Sequence, residues 1–425
     1  MIIHIVQQGD TLYKIAQRYG VSIEKLVEDN QISYPDMLTI GQNIVIDHDM
    51  IIHTVVRGDT LYQLAKQYGT TVEDIVESNP QIANPDRISI GQRINIPVGV
   101  QKLGSMEVNG YVYDTVQASV LEKVLPNLTY ISIFAYEVMS DGGLSTINDD
   151  WIIRMARQQR VAPLMTIVNI VEGEGFSSDL AHTILTDEAV QQQLISNVLN
   201  AMQSKNYYGL NVDFEYLYPE DREAYNAFLE RVRQAIHPYG YILTTAVAPK
   251  ISADQQGTLY EAHDYAAHGR IADRVIIMTY EWGYINGPPL PIAPIGPVRQ
   301  VLDYAVTEIP PKKIMMGMPN YAYDWTLPYR EGTSARILTN VEAVNLAIEK
   351  MVEIKYDQEA QAPFFEYTDQ GVRHIVWFDN AQSIKARLQL VDEYGLAGVS
   401  YWTVNQYFSQ NWLVQNALYD TIKVL

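Results

Sequence analysis

The stretch Gly209-Leu210-Asn211-Val212-Asp213-Phe214-Glu215-Tyr216 alternates apolar and polar residues, the period of a strand with one face in a core. Leu210, Val212 and Phe214 fall on one face, and Asn211, Asp213 and Glu215 on the other. Three polar groups on the inner face of a buried strand are costly unless hydrogen-bonded or functional. Two of them are carboxyls, and neighbouring carboxylates raise each other's proton affinity. A carboxyl kept protonated in this way can deliver its proton to a leaving oxygen. Asp213 and Glu215 stand about 7 Å apart between Cα atoms on one strand. They project from the same side, so they do not straddle a sugar ring as an acid and an opposed nucleophile must. The nucleophile has to come from elsewhere. The carbonyl oxygen of a substrate 2-acetamido group could attack C1 while Glu215 protonates the leaving oxygen. The alternative is a buried polar network that serves structure alone.

Such a strand needs neighbours on both sides. Eight apolar runs recur after the first hundred residues: 108–113, 130–136, 162–170, 209–216, 242–248, 274–280, 314–319 and 397–403. Helical stretches separate most of them, among them 187–204 and 219–236. Near-continuous apolar strands alternating with helices imply a parallel sheet covered on both faces, and eight such units imply an α/β fold, the (β/α)8 TIM barrel. Glu215 then lies at the carboxyl end of the fourth strand, where barrels place their active sites. The surplus over a minimal barrel falls between the seventh and eighth strands. There, 363–367 and 373–378 flank Asp369-Gln370-Gly371, which reads as a hairpin. Residues 328–380 are expected to form a small α+β insertion on the catalytic face.

The chain has 425 residues, 47% of them apolar and 19% charged, a globular balance with room for two or three domains. The net charge of −20 disfavours nucleic acid and anionic membranes as partners. The absence of cysteine removes disulfides, a thiol nucleophile and thiolate metal sites. No run is long and apolar enough for a membrane span, and the first residues lack the features of a signal peptide. There is no His-Glu-x-x-His, no Gly-x-Ser-x-Gly, and only an incomplete glycine motif at Gly173-Glu174-Gly175. No metal and no organic cofactor is expected.

The front of the chain is duplicated. Residues 2–30 match 51–79 at 16 of 29 positions. Each copy reads as strand, helix, helix, strand, with Asp10 expected to cap the first helix and Leu12, Ile15, Ala16 and Tyr19 forming its apolar face. Gly9, Asp10, Thr11 and Leu12, repeated as Gly58, Asp59, Thr60 and Leu61, resemble the opening of the LysM module, and Asn30 and Asn79 match its mid-module Asn. The resemblance divides the chain into 1–47 and 50–97 as LysM modules and 101–425 as the barrel. It implies binding of N-acetylglucosamine polymers such as peptidoglycan and chitin, in a shallow groove between the first loop and the loop after the second helix. In this sequence those loops are 9–12 with 32–36, and 58–61 with 82–86.

The barrel resembles glycoside hydrolase family 18, whose fourth strand ends in Asp-x-x-Asp-x-Asp-x-Glu. The resemblance implies that Glu215 is the general acid/base and that Asp213 orients the acetamido group. Asn211 replaces the middle Asp and Tyr208 the first. Met278-Thr279-Tyr280-Glu281 is similar to the sixth-strand Met-x-Tyr-Asp, which implies that Tyr280 hydrogen-bonds the acetamido carbonyl. Trp402 matches the aromatic floor beneath the reacting sugar. Asn211, Glu281, Tyr111, Tyr136 and Trp325 are further candidates for contact with substrate, Tyr321 for lining the cleft and Trp282 for its wall. With the tandem modules, the whole chain resembles the spore-cortex-lytic N-acetylglucosaminidases of bacilli. That implies peptidoglycan as partner, spore coat proteins as neighbours, and a place in the spore coat or cortex reached without a signal peptide. A chitinase and a non-catalytic sugar-binding protein are the rival readings.

Overall fold

A computed structural model describes residues 1–48, 50–97 and 102–425. The expected barrel start at 101 and the positions 98–100 before it lie outside the described residues.

Eight parallel strands form the barrel: Gly104–Tyr113, Tyr130–Glu137, Ala162–Val168, Gly209–Asp213, Ile242–Val247, Arg274–Ile277, Ile314–Pro319 and Gly398–Trp402. The eighth pairs with the first, Gly398 opposite Glu107, and closes the ring. Closure depends on a missing side chain, because a Cβ on Gly398 would sit 1.7 Å from the Glu107 carbonyl oxygen. At the same end of the barrel, Arg274 of strand six donates a forked pair of hydrogen bonds to the buried Glu107 carboxylate of strand one. A short C-terminal strand, Tyr419–Thr421, adds to the start of strand one.

Alternation on the fourth strand is as the sequence implies. Leu210, Val212 and Phe214 are fully buried in the layer between strands and helices. The Phe214 ring stacks on Tyr225 and Phe228 of the helix Arg222–Ile236, with centroids 6.0 and 5.8 Å apart. Burying such a side chain stabilises the fold by about 2–3 kcal/mol. The inward face is unusually polar. Asn109 donates to Ser400 at 2.9 Å, Ser132 donates to Asn109 at 3.0 Å, and Thr244 donates to Asn211 at 2.8 Å. These hydrogen bonds between neighbouring strands run beside an apolar cluster that includes Tyr130, Leu164, Ile276 and Met315.

Between strands seven and eight stands a five-stranded antiparallel sheet with the helix Asn340–Glu349. Its first strand, Ala322–Leu327, begins upstream of the 328 boundary expected from the sequence. Its hairpin, Ala362–Asp369 with Val372–Trp377, turns at Gln370 and Gly371, both at positive φ.

Each front module is the expected strand, two helices and strand. The helix cap differs from expectation. Thr11 and Thr60 accept from the backbone N–H three residues on. Asp10 instead accepts from the Gln7 N–H at 2.9 Å and pairs with His4 at 3.0 Å, and His4 contacts the Tyr19 hydroxyl. Asp59, Val56, His53 and Tyr68 repeat the arrangement. The two modules share one apolar core.

Candidate active site

A cleft of about 620 Å³ opens at the carboxyl ends of the strands. Asp213, Glu215, Tyr280, Glu281 and Trp402 all line it, and so does Trp282. Asp213 is the last residue of strand four and is buried, and its Oδ1 has no hydrogen-bond partner among the described residues. Glu215 lies two residues further, half-buried in the cleft wall. Burial lifts the proton affinity of Asp213. Burial, then the Asp213 charge, then the Glu281 charge lift that of Glu215 well above the usual carboxylate range. The pair cannot ionise twice without a large penalty, so a proton stays on it near neutrality. An unpaired buried carboxyl oxygen costs stability.

The backbone that presents Glu215 is itself held. Asn169, buried just past the end of strand three, accepts from the Glu215 N–H at 2.9 Å and donates to the Glu215 carbonyl at 2.9 Å and to Ser177 O at 3.0 Å. On the other side, His263 meets the Phe214 carbonyl at 2.9 Å. Tyr216 and Glu281 both take positive φ, a costly backbone state that the surrounding structure must impose. Glu281 accepts from Tyr321 and, at 3.0 Å, from Tyr323. Tyr321 therefore holds Glu281 and is not among the cleft-lining residues. The Trp402 ring packs edge-on against Phe134 at 4.9 Å and Tyr111 at 5.2 Å, which fixes its attitude in the cleft.

Four expected contact residues lie elsewhere. Asn211 is buried within the ring, donating to the Tyr111 hydroxyl at 2.9 Å and accepting from Thr244. Tyr111 is its partner and supports Trp402 from behind. Tyr136 shares the parity of inward-facing Ser132, but a register shift between Ile133 and Tyr136 turns it outward. There its hydroxyl donates to buried Asp149, beside Tyr207 and Lys205. Trp325 belongs to the insertion sheet, with its indole N–H on the Gly287 carbonyl at 2.9 Å.

The cleft also contains Tyr113, Phe134, Tyr216, Met278 and Tyr284, none of them anticipated as cleft residues. Tyr113 had a signal in the sequence. It shares a face with Tyr111 and lies one pleat nearer the mouth, the criterion that selects Glu215 over Asn211. In the front modules Leu12 and Leu61 are core residues, Asp10 and Asp59 hold histidines, and Gly9, Thr11, Gly58 and Thr60 remain at the surface.

Two neighbouring buried carboxyls in an aromatic-lined cleft, at the carboxyl end of a closed (β/α)8 barrel, accompany a family match that makes this chain a glycoside hydrolase. The profile "Glycosyl hydrolases family 18" matches residues 107–406, and the LysM domain profile matches 4–47 and 53–97. The chain belongs to glycosyl hydrolase family 18. It is 44% identical to the cortical fragment-lytic enzyme of Bacillus subtilis (strain 168), across 100% of this chain and 99% of that one. It superposes on the spore cortex-lytic enzyme SleL of Bacillus megaterium QM B1551 with a TM-score of 0.90 at 37% identity, covering 100% and 99% of the two chains. A chitinase from Chromobacterium violaceum matches the barrel alone, at 26% identity and a TM-score of 0.68, over 73% of this chain and 98% of that one.

Proposed function

We propose that this chain is a retaining β-N-acetylglucosaminidase that cleaves spore-cortex peptidoglycan by substrate-assisted catalysis, held on its polymer by the front modules and placed in the spore coat or cortex. Glu215 protonates the glycosidic oxygen. The acetamido carbonyl oxygen of the same sugar closes on C1 as the bond to the leaving group breaks. Asp213, ionised as the positive charge develops, accepts from the acetamido N–H, and Tyr280 donates to the acetamido oxygen. Glu215, now a carboxylate, takes a proton from water, which opens the cyclic intermediate from the face first occupied by the leaving group. Two displacements at C1 leave its configuration unchanged. Trp402 supplies an apolar face under the ring. No metal or cofactor enters these steps.

The single observation that carries the reading is that Asp213 and Glu215 line one cleft wall side by side, with burial and the Asp213 charge raising the proton affinity of Glu215. The cortex as substrate rests on similarity to relatives along the full chain. Mass spectrometry of products from purified cortex glycan and from chitin oligomers tests it. The reading expects new N-acetylglucosamine reducing ends from cortex and their loss in Glu215→Gln. Preferential cleavage of chitin would favour the chitinase reading, and no cleavage of either would favour a sugar-binding protein.

A further inference from the structure

The two front modules are near-copies, yet the structure treats them differently. Module one is docked on the barrel and its insertion. Gln31 donates to the Tyr407 carbonyl at 3.1 Å and accepts from the Ser409 N–H at 2.7 Å. Asn43 exchanges hydrogen bonds with Gln382 at 2.9 and 3.1 Å, and its carbonyl accepts from Gln410 at 3.0 Å. Ser33 and Tyr34 meet Asn345 and Glu349 of the insertion helix at 3.0 and 2.8 Å. The Ile40 carbonyl accepts from the Ile354 N–H at 2.9 Å, and Val45 is part of the barrel core.

Module two repeats the fold without the docking. Among the described residues, no hydrogen bond or ion pair joins it to the barrel. Its counterparts of Ser33, Tyr34, Asn43 and Val45 are Ala83, Asn84, Arg93 and Asn95. Gln81 turns to its own Asn79 at 3.1 Å. Ile90 is 71% exposed where Ile40 is 39% exposed. A Cβ on Gly41 would stand 1.8 Å from the Ile354 carbonyl oxygen, whereas one on Gly91 meets nothing within 4 Å. The copies have kept their internal core; at the docking positions Gln31, Ile40 and Gly41 persist as Gln81, Ile90 and Gly91, while Ser33, Tyr34, Asn43 and Val45 have changed.

The docked loop of module one, 32–36, is one rim of the groove in which a glycan chain is expected to lie. We propose that the modules have divided their work: module one is a wedge that fixes the insertion against the barrel, and module two alone takes the N-acetylglucosamine polymer. This rests on the reading of the modules as glycan binders. Module one's groove has one wall hydrogen-bonded to Asn345 and Glu349, while among the described residues no hydrogen bond ties either wall of module two's groove, 58–61 or 82–86, to the barrel or its insertion.

Hydrogen–deuterium exchange of the full chain carrying Glu215→Gln, with and without a soluble hexamer of β-1,4-linked N-acetylglucosamine, tests the division. The expected result is ligand-dependent protection in peptides covering 58–61 and 82–86, with none in 9–12 and 32–36. Equal protection of both modules, protection of module one alone, or protection of neither overturns the proposal. Peptides of the barrel cleft report separately on the glycosidase reading. As a second measurement, Ala83→Glu, an exposed change on the rim of module two, should lower retention on insoluble peptidoglycan at least fivefold. Unchanged retention would also overturn it.

Discussion

Replacing Asp213 with Asn keeps the side chain's shape and removes its charge. Burial raises the Asp213 carboxyl from 3.8 to about 7. A group raised in the folded state contributes its stability below the unfolded midpoint and loses it as pH rises through the folded one. At pH 9, where the carboxyl is ionised in both states, its raised proton affinity costs the fold at most about 4 kcal/mol, and at pH 5, where it is ionised only in the unfolded chain, about 2 kcal/mol. At about 2.1 cal/mol/K per residue, a barrel of about 320 residues has an unfolding entropy near 0.7 kcal/mol/K. Asp213→Asn should thus raise the melting temperature by about 6 °C at pH 9 and by about 2–3 °C at pH 5, while turnover falls by roughly a hundredfold or more. Calorimetry across that pH range, paired with reducing-end assays, makes the comparison. A variant that is less stable, or whose gain does not grow with pH, would refute the claim that Asp213 is held there against its own folding interest.

Other expectations concern residues around the pair. Asn169→Ala removes both hydrogen bonds to the Glu215 backbone, so kcat should fall about 10–100-fold with little change in KM, and stability by about 2–3 kcal/mol. The alkaline limb of the rate profile should move with it if Asn169 positions the acid; a change confined to stability would mean that it does not. Glu281→Gln removes a negative charge that raises the proton affinity of Glu215. Activity needs protonated Glu215, so the alkaline limb should shift to lower pH; an unmoved limb would remove Glu281 from the electrostatics. Gly41→Ala places a methyl against the Ile354 carbonyl and should cost about 2–4 kcal/mol, whereas Gly91→Ala carries only the positive-φ cost of about 1–2 kcal/mol. Equal melting temperatures for the two variants would contradict the docking of module one.

Much of this was legible in the residues because the signals are local. Eight apolar runs, the inward Asn211-x-Asp213-x-Glu215 ladder and the duplicated Gly-Asp-Thr-Leu each declare themselves within a few positions, and the barrel, its catalytic end and the modules follow. What was not legible depends on register and on distant partners. Tyr136 has the right parity for the cleft, and only a bulge upstream removes it. Asp10 has the type and place of a helix cap, but His4, six residues back, competes for its carboxylate and leaves the cap to Thr11. Trp325 follows strand seven closely, yet the chain enters the insertion sheet before reaching it. Asn169 carries no motif at all; its role exists only because strands three and four are neighbours. The docking of module one is invisible for the same reason, since each partner lies more than three hundred positions away.

The account stands on a sugar amide acting as nucleophile beside Asp213 and Glu215. Proton NMR of the first products, recorded before mutarotation, tests this most directly on a β-linked N-acetylglucosaminide. The β-anomer should appear first and decay toward equilibrium. Initial appearance of the α-anomer would mean direct attack by water and would contradict it.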